Sequence, residues 1–328
     1  MATKAHFLVG MVLGVAGLLA PLSAPQAQSR EGINPCGLTG FDAPCKVHEG
    51  EYRAYKPKGE GPFPAFVYLY GSGGRADNNY GSDLFRQVVT ERGYVLIVPE
   101  ALDVVNYNTG RDTGWSRAAR RDEHPRDDIA FISRVIEHAR SRFQVDRRRV
   151  LIVGQSDGGF LIWEIACHQP RLAAAYAVHA GTYGGPLPAR CQTPVRFLHA
   201  HGRRDRIVPF EAELHWPGWT VKAGANPVEG LDLLARTNGC RDRSGAAVSR
   251  YRGFTRISWQ GCNRTGALDY LVHGGGHAYP ARLFGAVLDW FEGFDLAPPK
   301  AGQRNVRRPG DGTSRFKAIP QRRVSTDE

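Results

Sequence analysis

The chain has 328 residues, a formal net charge of +11 and 42% hydrophobic residues, a composition that suffices for a large buried core. Its six cysteines include no C-x-x-C pair, so we predict no structural zinc site, and no other metal or cofactor is expected. Much of the positive charge lies near the end of the chain, which argues against a nucleic-acid partner.

Residues 1–29 have the pattern of a secretory signal peptide. An apolar run from Phe7 to Leu19 is followed by small residues up to Ser29. The run is short for a membrane span, and no other stretch approaches the ~20 apolar residues that a span needs. We therefore predict a cleaved signal, no membrane span after cleavage, and a secreted or periplasmic protein. A retained N-terminal anchor is the alternative.

An even number of cysteines in an oxidising compartment indicates disulfide bonds. Sequence alone does not fix which cysteines pair. Local spacing favours the pairs Cys36–Cys45, Cys167–Cys191 and Cys240–Cys262. Because Cys167 lies within an apolar helical pattern, a buried free thiol is the alternative at that position.

From Gly50 onward apolar runs alternate with helical patterns, which is typical of βαβ units around a mainly parallel sheet. The predicted strands are Glu51–Lys56 at an edge, then Phe63–Tyr70, Tyr94–Val98, Val150–Val153, Ala173–Val178, Val195–Ala200 and Leu268–Val272. The predicted helices are Asp83–Glu91, Arg126–Arg142, Gly158–His168, Glu229–Thr237 and Pro280–Phe291. We predict one α/β domain over residues 30–298, with loop insertions at Asp103–Pro125 and His215–Gly230.

Residues 299–328 form a polar segment rich in Arg, Gly and Pro, and we predict a disordered basic tail there. Such a tail would contact anionic polymers of the cell envelope loosely through its positive charge. A charged tail without a specific partner is the alternative.

The stretch Gly154-Gln155-Ser156-Asp157-Gly158-Gly159 has the pattern of a nucleophile elbow. A short apolar run precedes it and a helical pattern follows it. A G-x-S-x-G motif in this position makes a sharp turn that exposes the serine hydroxyl above the sheet edge. A Cβ atom at either flanking glycine would collide with backbone in so tight a turn. Ser156 is therefore the candidate nucleophile.

A serine hydroxyl needs a base to remove its proton and an acid to orient that base. Asp205 follows the predicted strand Val195–Ala200, and His277 lies in a glycine-rich loop after Leu268–Val272. We predict Asp205 as the orienting acid and His277 as the base. A loop aspartate is often only a turn residue, and other histidines could serve as the base: His199, His201, His215 and His273.

The anionic intermediate of such a reaction needs backbone N–H donors that are already in place. The N–H of Asp157 is one predicted donor. The other is the N–H of Ser72, in the glycine-rich loop that follows Phe63–Tyr70. A phosphate-binding loop is the alternative, but the G-K-[ST] ending of a P-loop is missing.

The chain resembles the secreted poly(3-hydroxybutyrate) depolymerase and feruloyl esterase-like family of α/β-hydrolases. The resemblance lies in the segments Y-G-S-G-G (70–74), R-D-D-I-A-F-I (126–132), V-D-R-R-R-V…G-Q-S-D-G-G (145–159), H-G-R-R-D-R-I-V-P-F (201–210), N-G-C (238–240) and G-G-G-H-A-Y-P (274–280). It implies an α/β-hydrolase fold with Ser156, Asp205 and His277 as nucleophile, orienting acid and base. It also implies a disulfide between Cys240 and Cys262.

Four positions depart from the family pattern or extend it. Tyr70 stands where the family usually has histidine, and the elbow carries Gln155 and Asp157. A charged Asp157 would oppose an oxyanion unless its side chain points away or is paired, for example with an arginine. Trp115 lies in an insertion where the family has aromatic residues near the substrate. Stacking on the substrate and plain packing are the two alternatives for it.

These features predict a secreted serine carboxylesterase that acts through an acyl-enzyme. The expected substrates are polyhydroxybutyrate-type oligomers or feruloyl and short-chain esters. One alternative is a peptidase on the same fold. Another is an inactive hydrolase-like protein that binds the envelope through its tail.

Overall fold

The computed structural model describes residues 36, 43–77, 84, 86–106, 110–116, 125–209, 214–216, 219–221, 227–241, 246–294 and 296. The strands are β1 Cys45–Val47, β2 Gly50–Tyr55, β3 Phe63–Leu69, β4 Val95–Pro99, β5 Leu102–Asn106, β6 Gly110–Gly114, β7 Val145–Gln155, β8 Ala175–His179, β9 Arg196–Gly202, β10 Leu214–Trp216, β11 Trp219–Val221, β12 Ala247–Tyr251, β13 Phe254–Ser258 and β14 Ala267–His273. The helices are α1 Asp128–Phe143, α2 Asp157–His168, α3 Pro227–Asn238 and α4 Arg282–Glu292, and Arg86–Thr90 forms a π-helical turn.

Ten strands form one sheet in the order β1-β2-β4-β3-β7-β8-β9-β14-β13-β12. The six central strands, β4 to β14 in that order, pair in parallel. At one edge, β2 pairs antiparallel with both β1 and β4. At the other edge, β13 pairs antiparallel with both β14 and β12. Strands β4 and β8 are buried along their whole length because helices flank the sheet. The predicted α/β class is confirmed.

Helix α1 shows how the local sequence positions a helix on this sheet. The carboxylate of Asp127 caps the first turn by accepting from the N–H of Ala130 at 3.1 Å. The helix ends at Gln144, whose backbone is left-handed with φ 56°. Its buried apolar residues recur at helical spacing and form one apolar face: Phe131, Ile132, Val135, Ile136, Ala139 and Phe143.

Short hairpins account for most differences from the predicted elements. Strands β5 and β6 pair within the insertion that was predicted to be a loop, and β12 and β13 extend the sheet at its far edge. Four of the five residues of β12 are exposed, so this strand has no apolar alternation that a sequence pattern would detect. Of the predicted helix Asp83–Glu91, the structure describes a π-helical turn at Arg86–Thr90 and a helical residue at 84.

All three predicted cysteine pairs are disulfide-bonded: Cys36–Cys45, Cys167–Cys191 and Cys240–Cys262. The buried-thiol alternative for Cys167 is therefore wrong. No helix in the described part of the chain is long and apolar enough to cross a membrane. The predicted signal at 1–29 and the predicted tail at 299–328 lie outside the described residues.

Candidate active site

Three parallel strands of the central sheet, β7, β9 and β14, bring the predicted triad to one edge of the sheet. Ser156 directly follows β7, Asp205 lies three residues after β9, and His277 lies four residues after β14. Strands β9 and β14 pair through to their last residues, and the N–H of Arg204 donates to the carbonyl of Gly275 at 2.9 Å. The loops that carry the acid and the base are therefore fastened to each other. Active sites of open α/β sheets form at this edge.

The backbone at Ser156 has the strained conformation of a nucleophile elbow, with φ 50° and ψ −118°. The turn is fixed by two hydrogen bonds: the N–H of Ser156 donates to the carbonyl of His179 at 2.9 Å, and the N–H of Gly158 donates to that of Tyr70 at 3.1 Å. A Cβ at Gly158 would lie 2.2 Å from the carbonyl oxygen of Leu69, so only glycine fits there.

Asp205 and His277 form the acid–base pair that the sequence predicts. Nδ1 of His277 lies 2.9 Å from Oδ2 of Asp205. The other carboxylate oxygen accepts from the N–H groups of Ile207 and Val208, both at 2.9 Å. Because an ionised carboxylate only accepts, Nδ1 of His277 is the donor, and Nε2 is the nitrogen that can take a proton.

The charge state of Asp205 follows from its surroundings. Burial alone would raise the pKa of this carboxyl group, but hydrogen bonds from His201, His277 and the N–H of Val208 outweigh burial and hold the pKa well below its usual range. Asp205 is therefore ionised at any pH at which the enzyme would work. Its negative charge lies beside the His277 ring, with Oδ2 2.9 Å from Nδ1.

Gln155 ties the loop of the base to the elbow. Its Nε2 donates to the carbonyl of His277 at 3.2 Å, and its Oε1 lies 3.5 Å from the hydroxyl of Tyr68. Since Gln155 immediately precedes Ser156, this contact holds the His277 backbone beside the nucleophile. The sequence marked Gln155 only as a departure from the family pattern, and the role was missed because it depends on a contact across 122 residues.

His201 supports the acid and is not a free base. Its ring is fully buried, with Nε2 2.8 Å from the carbonyl of Val208 and 3.4 Å from Oδ2 of Asp205. A carbonyl can only accept, so Nε2 of His201 carries a proton. Nδ1 of the same ring lies 3.1 Å from Nε2 of His199. The two rings therefore form a chain that ends at Asp205.

His273, another alternative base, contacts an imidazole and a backbone N–H and not a carboxylate among the described residues. Nε2 of His273 lies 3.2 Å from Nε2 of His179, and its Nδ1 accepts from the N–H of Gly275. The side chain of His215 lies outside the described residues. By contrast, the side chain of His277 is 21% exposed and pairs with Asp205, which favours His277 as the base.

The predicted oxyanion loop packs directly against the nucleophile. A Cβ at Gly71 would lie 3.1 Å from Cβ and 3.7 Å from Oγ of Ser156. The N–H groups of Gly73 and Gly74 are engaged, with the carbonyls of Thr113 and Gly71 as acceptors. Among the described residues, the N–H of Ser72 donates to no backbone carbonyl, which suits the predicted donor. The other predicted donor, the N–H of Asp157, belongs to the first residue of α2.

The two unusual side chains beside this loop are buried and paired. Trp115 is only 3% exposed, and its indole N–H donates to the carbonyl of Tyr70 at 2.8 Å. This burial leaves little surface for a substrate, so the structure favours packing over the stacking role. Oδ2 of Asp157 accepts from the N–H of Trp115 at 2.8 Å. The expected pairing of Asp157 therefore includes a backbone N–H.

No group of three or more His, Cys, Asp or Glu side chains is arranged to hold a metal ion within the described residues. The site that the structure describes there consists of a serine, an aspartate, a histidine and backbone N–H donors. Side chains of these types can carry out nucleophilic and acid–base chemistry.

Comparisons with known proteins agree with this geometry. Residues 82–184 match the model of the prolyl oligopeptidase family, Peptidase_S9. An acetyl xylan esterase from Aspergillus awamori superposes with a TM-score of 0.53 and 16% identity, covering 80% of this chain and 98% of that one. The chain has the α/β-hydrolase fold.

Relatives that the chain matches by sequence carry the names of esterases. "Putative esterase NocK" from Nocardia uniformis subsp. tsuyamanensis is 26% identical over 294 residues, which cover 80% of this chain and 82% of the relative. "Probable feruloyl esterase C" from Aspergillus niger is 23% identical over 261 residues, covering 75% and 82%. The resemblance to feruloyl esterase-like α/β-hydrolases is thus confirmed, and it indicates a carboxylic ester hydrolase.

Proposed function

We propose that this chain is a serine carboxylesterase that works through a covalent acyl-enzyme. The observation that carries the proposal is the pairing of His277 with a buried, ionised Asp205, next to a serine in the strained elbow conformation. A serine in a relaxed turn, or a histidine without an acid partner, would not support this chemistry.

In the proposed mechanism, Nε2 of His277 takes the proton of the Ser156 hydroxyl while Oγ attacks the ester carbonyl. The N–H groups of Ser72 and Asp157 receive the negative charge that develops on the carbonyl oxygen. The tetrahedral intermediate collapses, and the alcohol leaves with the proton held by His277. Water then attacks the acyl-enzyme with His277 as base, which releases the carboxylic acid and restores Ser156.

The proposed substrates are esters of short acyl groups or of hydroxycinnamic acids. This choice is supported by the names of the relatives, which include feruloyl and acetylxylan esterases. Soluble hydroxybutyrate oligomers are the second substrate class implied by the family resemblance. The three disulfides support an oxidising location, and we propose that the enzyme acts outside the cytoplasm.

A peptidase activity is the second candidate, because the matching family model is that of prolyl oligopeptidases. The relatives favour esters. Amide bonds are also harder to cleave, so a peptide amide is a sharp discriminating substrate.

The proposal is tested by comparing wild type, Ser156→Ala and the control Ser141→Ala, which changes an exposed serine on α1. We would measure kcat/KM on p-nitrophenyl esters from two to twelve carbons, methyl ferulate, a soluble hydroxybutyrate oligomer and a peptide p-nitroanilide. Ser156→Ala should lower kcat by at least about 10⁴-fold, while Ser141→Ala leaves it unchanged.

The pattern of substrate preference distinguishes the candidate functions. Highest efficiency on short esters or methyl ferulate supports the proposal. Highest efficiency on the anilide would replace it with the peptidase candidate, and no turnover of any ester would favour the inactive binding protein. Ester hydrolysis that survives Ser156→Ala would refute the nucleophile assignment.

A further inference from the structure

The two proposed oxyanion donors come from different parts of the chain. Ser72 lies in the loop after β3, whereas Asp157 begins α2 after β7. Both N–H groups must point at one oxygen atom, and a misplacement of about 1 Å at such a site costs on the order of 10²-fold in rate. Something has to hold the loop and the start of the helix in register.

Trp115 contacts both segments at once. Its backbone N–H donates to Oδ2 of Asp157 at 2.8 Å, and its indole N–H donates to the carbonyl of Tyr70 at 2.8 Å. The indole ring also packs on the Tyr70 ring, with centroids 5.4 Å apart and planes tilted by 50°. Both hydrogen bonds are buried, where such bonds are electrostatically strong.

Strand β6, which directly precedes Trp115, is hydrogen-bonded to the oxyanion loop. The N–H of Gly73 donates to the carbonyl of Thr113 at 3.1 Å, and the Thr113 hydroxyl donates to the carbonyl of Gly74 at 2.5 Å. On the other side, the N–H of Ser116 donates to the buried carboxylate of Asp128 at 2.6 Å. Trp115 therefore sits between two anchors and has little freedom to shift.

Tyr70 is held at its far end as well. Its hydroxyl donates to Oε1 of Glu100 at 3.0 Å and accepts from the N–H of Ala101 at 2.7 Å. The tyrosine that replaces the expected family histidine is thus fixed through its hydroxyl, its ring and its carbonyl. The carbonyl is also the acceptor for the N–H of Gly158 in the elbow.

We propose that Trp115 is a positioning residue that clamps the two halves of the oxyanion hole together, a role that rests on the proposed function. It acts through Tyr70 on the loop that carries Ser72 and through the carboxylate of Asp157 on the start of α2. The clamp matters when charge develops on the carbonyl oxygen, because the N–H donors stabilise that charge and not the neutral ester.

The test is Trp115→Phe, which keeps an aromatic ring against Tyr70 and removes the indole N–H. We expect kcat on a short p-nitrophenyl ester to fall by about 10- to 100-fold, with KM changed less than about threefold. A trifluoromethyl ketone, which binds as a tetrahedral adduct on the serine, should lose affinity by a similar factor to kcat/KM.

Trp290→Phe is the matched control. The indole N–H of Trp290 donates to Oδ2 of Asp269 at 2.7 Å, also in a buried position, but on α4 and outside the proposed machinery. It should lower the melting temperature by an amount similar to Trp115→Phe while keeping wild-type kcat. If both variants lose the same fraction of kcat, or if Trp115→Phe keeps wild-type kcat, the clamp is refuted.

Asp157→Ala removes the carboxylate that accepts from the N–H of Trp115 and keeps the tryptophan. It therefore tests the clamp even if Trp115→Phe folds poorly. The double variant should lose less activity than the product of the two single losses, since both changes remove one connection. Fully multiplicative losses would contradict the clamp.

Fluorophosphonate labelling of Ser156 distinguishes failure of the clamp from failure of the proposed esterase function. If the wild-type protein is not labelled, the proposed function itself is refuted.

Discussion

Buried histidines should make the free energy of unfolding fall steeply as the pH drops below neutral. His179 and His199 are 1% and 0% exposed, and burial lowers the pKa of both rings well below the usual 6.5. Because the unfolded chain binds more protons, stability is full above about pH 6.5 and is lost as the pH falls. Each such ring loses about 1.4 kcal/mol between pH 7.5 and pH 5.5, so the pair loses about 3 kcal/mol.

The neighbouring imidazoles lower the pKa of these two rings further, whereas Asp205 acts against them at His179. Each ring contacts a second imidazole, His273 for His179 and His201 for His199, at 3.2 and 3.1 Å. A proton added to one ring places charge against its partner. Burial also lowers the pKa of His273, with Arg282 as a further cause. Against a typical total stability of about 5–15 kcal/mol, a loss of about 3 kcal/mol is easily measured.

The assay is urea unfolding followed by tryptophan fluorescence at pH 7.5, 6.5 and 5.5. His199→Gln removes one of the two buried rings and should reduce the loss by about half, whereas the exposed His48→Gln should not change it. An unfolding free energy that is equal at pH 5.5 and 7.5 would refute the reasoning. So would an equal effect of the two substitutions.

Three further predictions concern the elbow, a disulfide and the acid. Gly158→Ala places a methyl group 2.2 Å from the Leu69 carbonyl oxygen and should lower the free energy of unfolding by about 3 kcal/mol. The control is Gly274→Ala, whose methyl group meets nothing within 4 Å; equal urea midpoints for the two variants would contradict the predicted clash at Gly158. Replacing Cys240 and Cys262 together by serine opens a loop of 22 residues and should cost about 3 kcal/mol, and an unchanged melting temperature would exclude that. Asp205→Asn should lower kcat by about 10⁴-fold in steady-state assays, and a loss below tenfold would remove its orienting role.

The sequence predicted the parallel core and the placement of the triad because both follow from local patterns. Each central strand contains a mostly apolar run, and Ser156, Asp205 and His277 each follow such a strand. The carboxyl ends of parallel strands meet at one edge, so strand order alone brings these three positions together. The cysteine pairs were predicted from spacing for a similar reason, since each closes a short loop.

The supports of the site could not be predicted, because they depend on contacts between distant segments. Trp115 lies 45 residues from Tyr70, and no local pattern shows that its indole reaches that carbonyl. Gln155 looked like a departure, yet it holds the backbone of His277. The hairpins of β5–β6 and β12–β13 were missed for a different reason. Strand β6 has the polar sequence GRDTG, and four of the five residues of β12 are exposed, so neither strand carries an apolar signal.

The central claim is that Ser156 is the nucleophile activated by His277. The most direct measurement is mass spectrometry of the protein after reaction with a fluorophosphonate, with the adduct mapped by proteolysis. We predict one adduct per chain, on the peptide that contains Ser156, formed in step with the loss of ester hydrolysis and slowed by at least about 10³-fold in His277→Ala. An adduct on another residue, or full inhibition without an adduct on Ser156, would contradict the account.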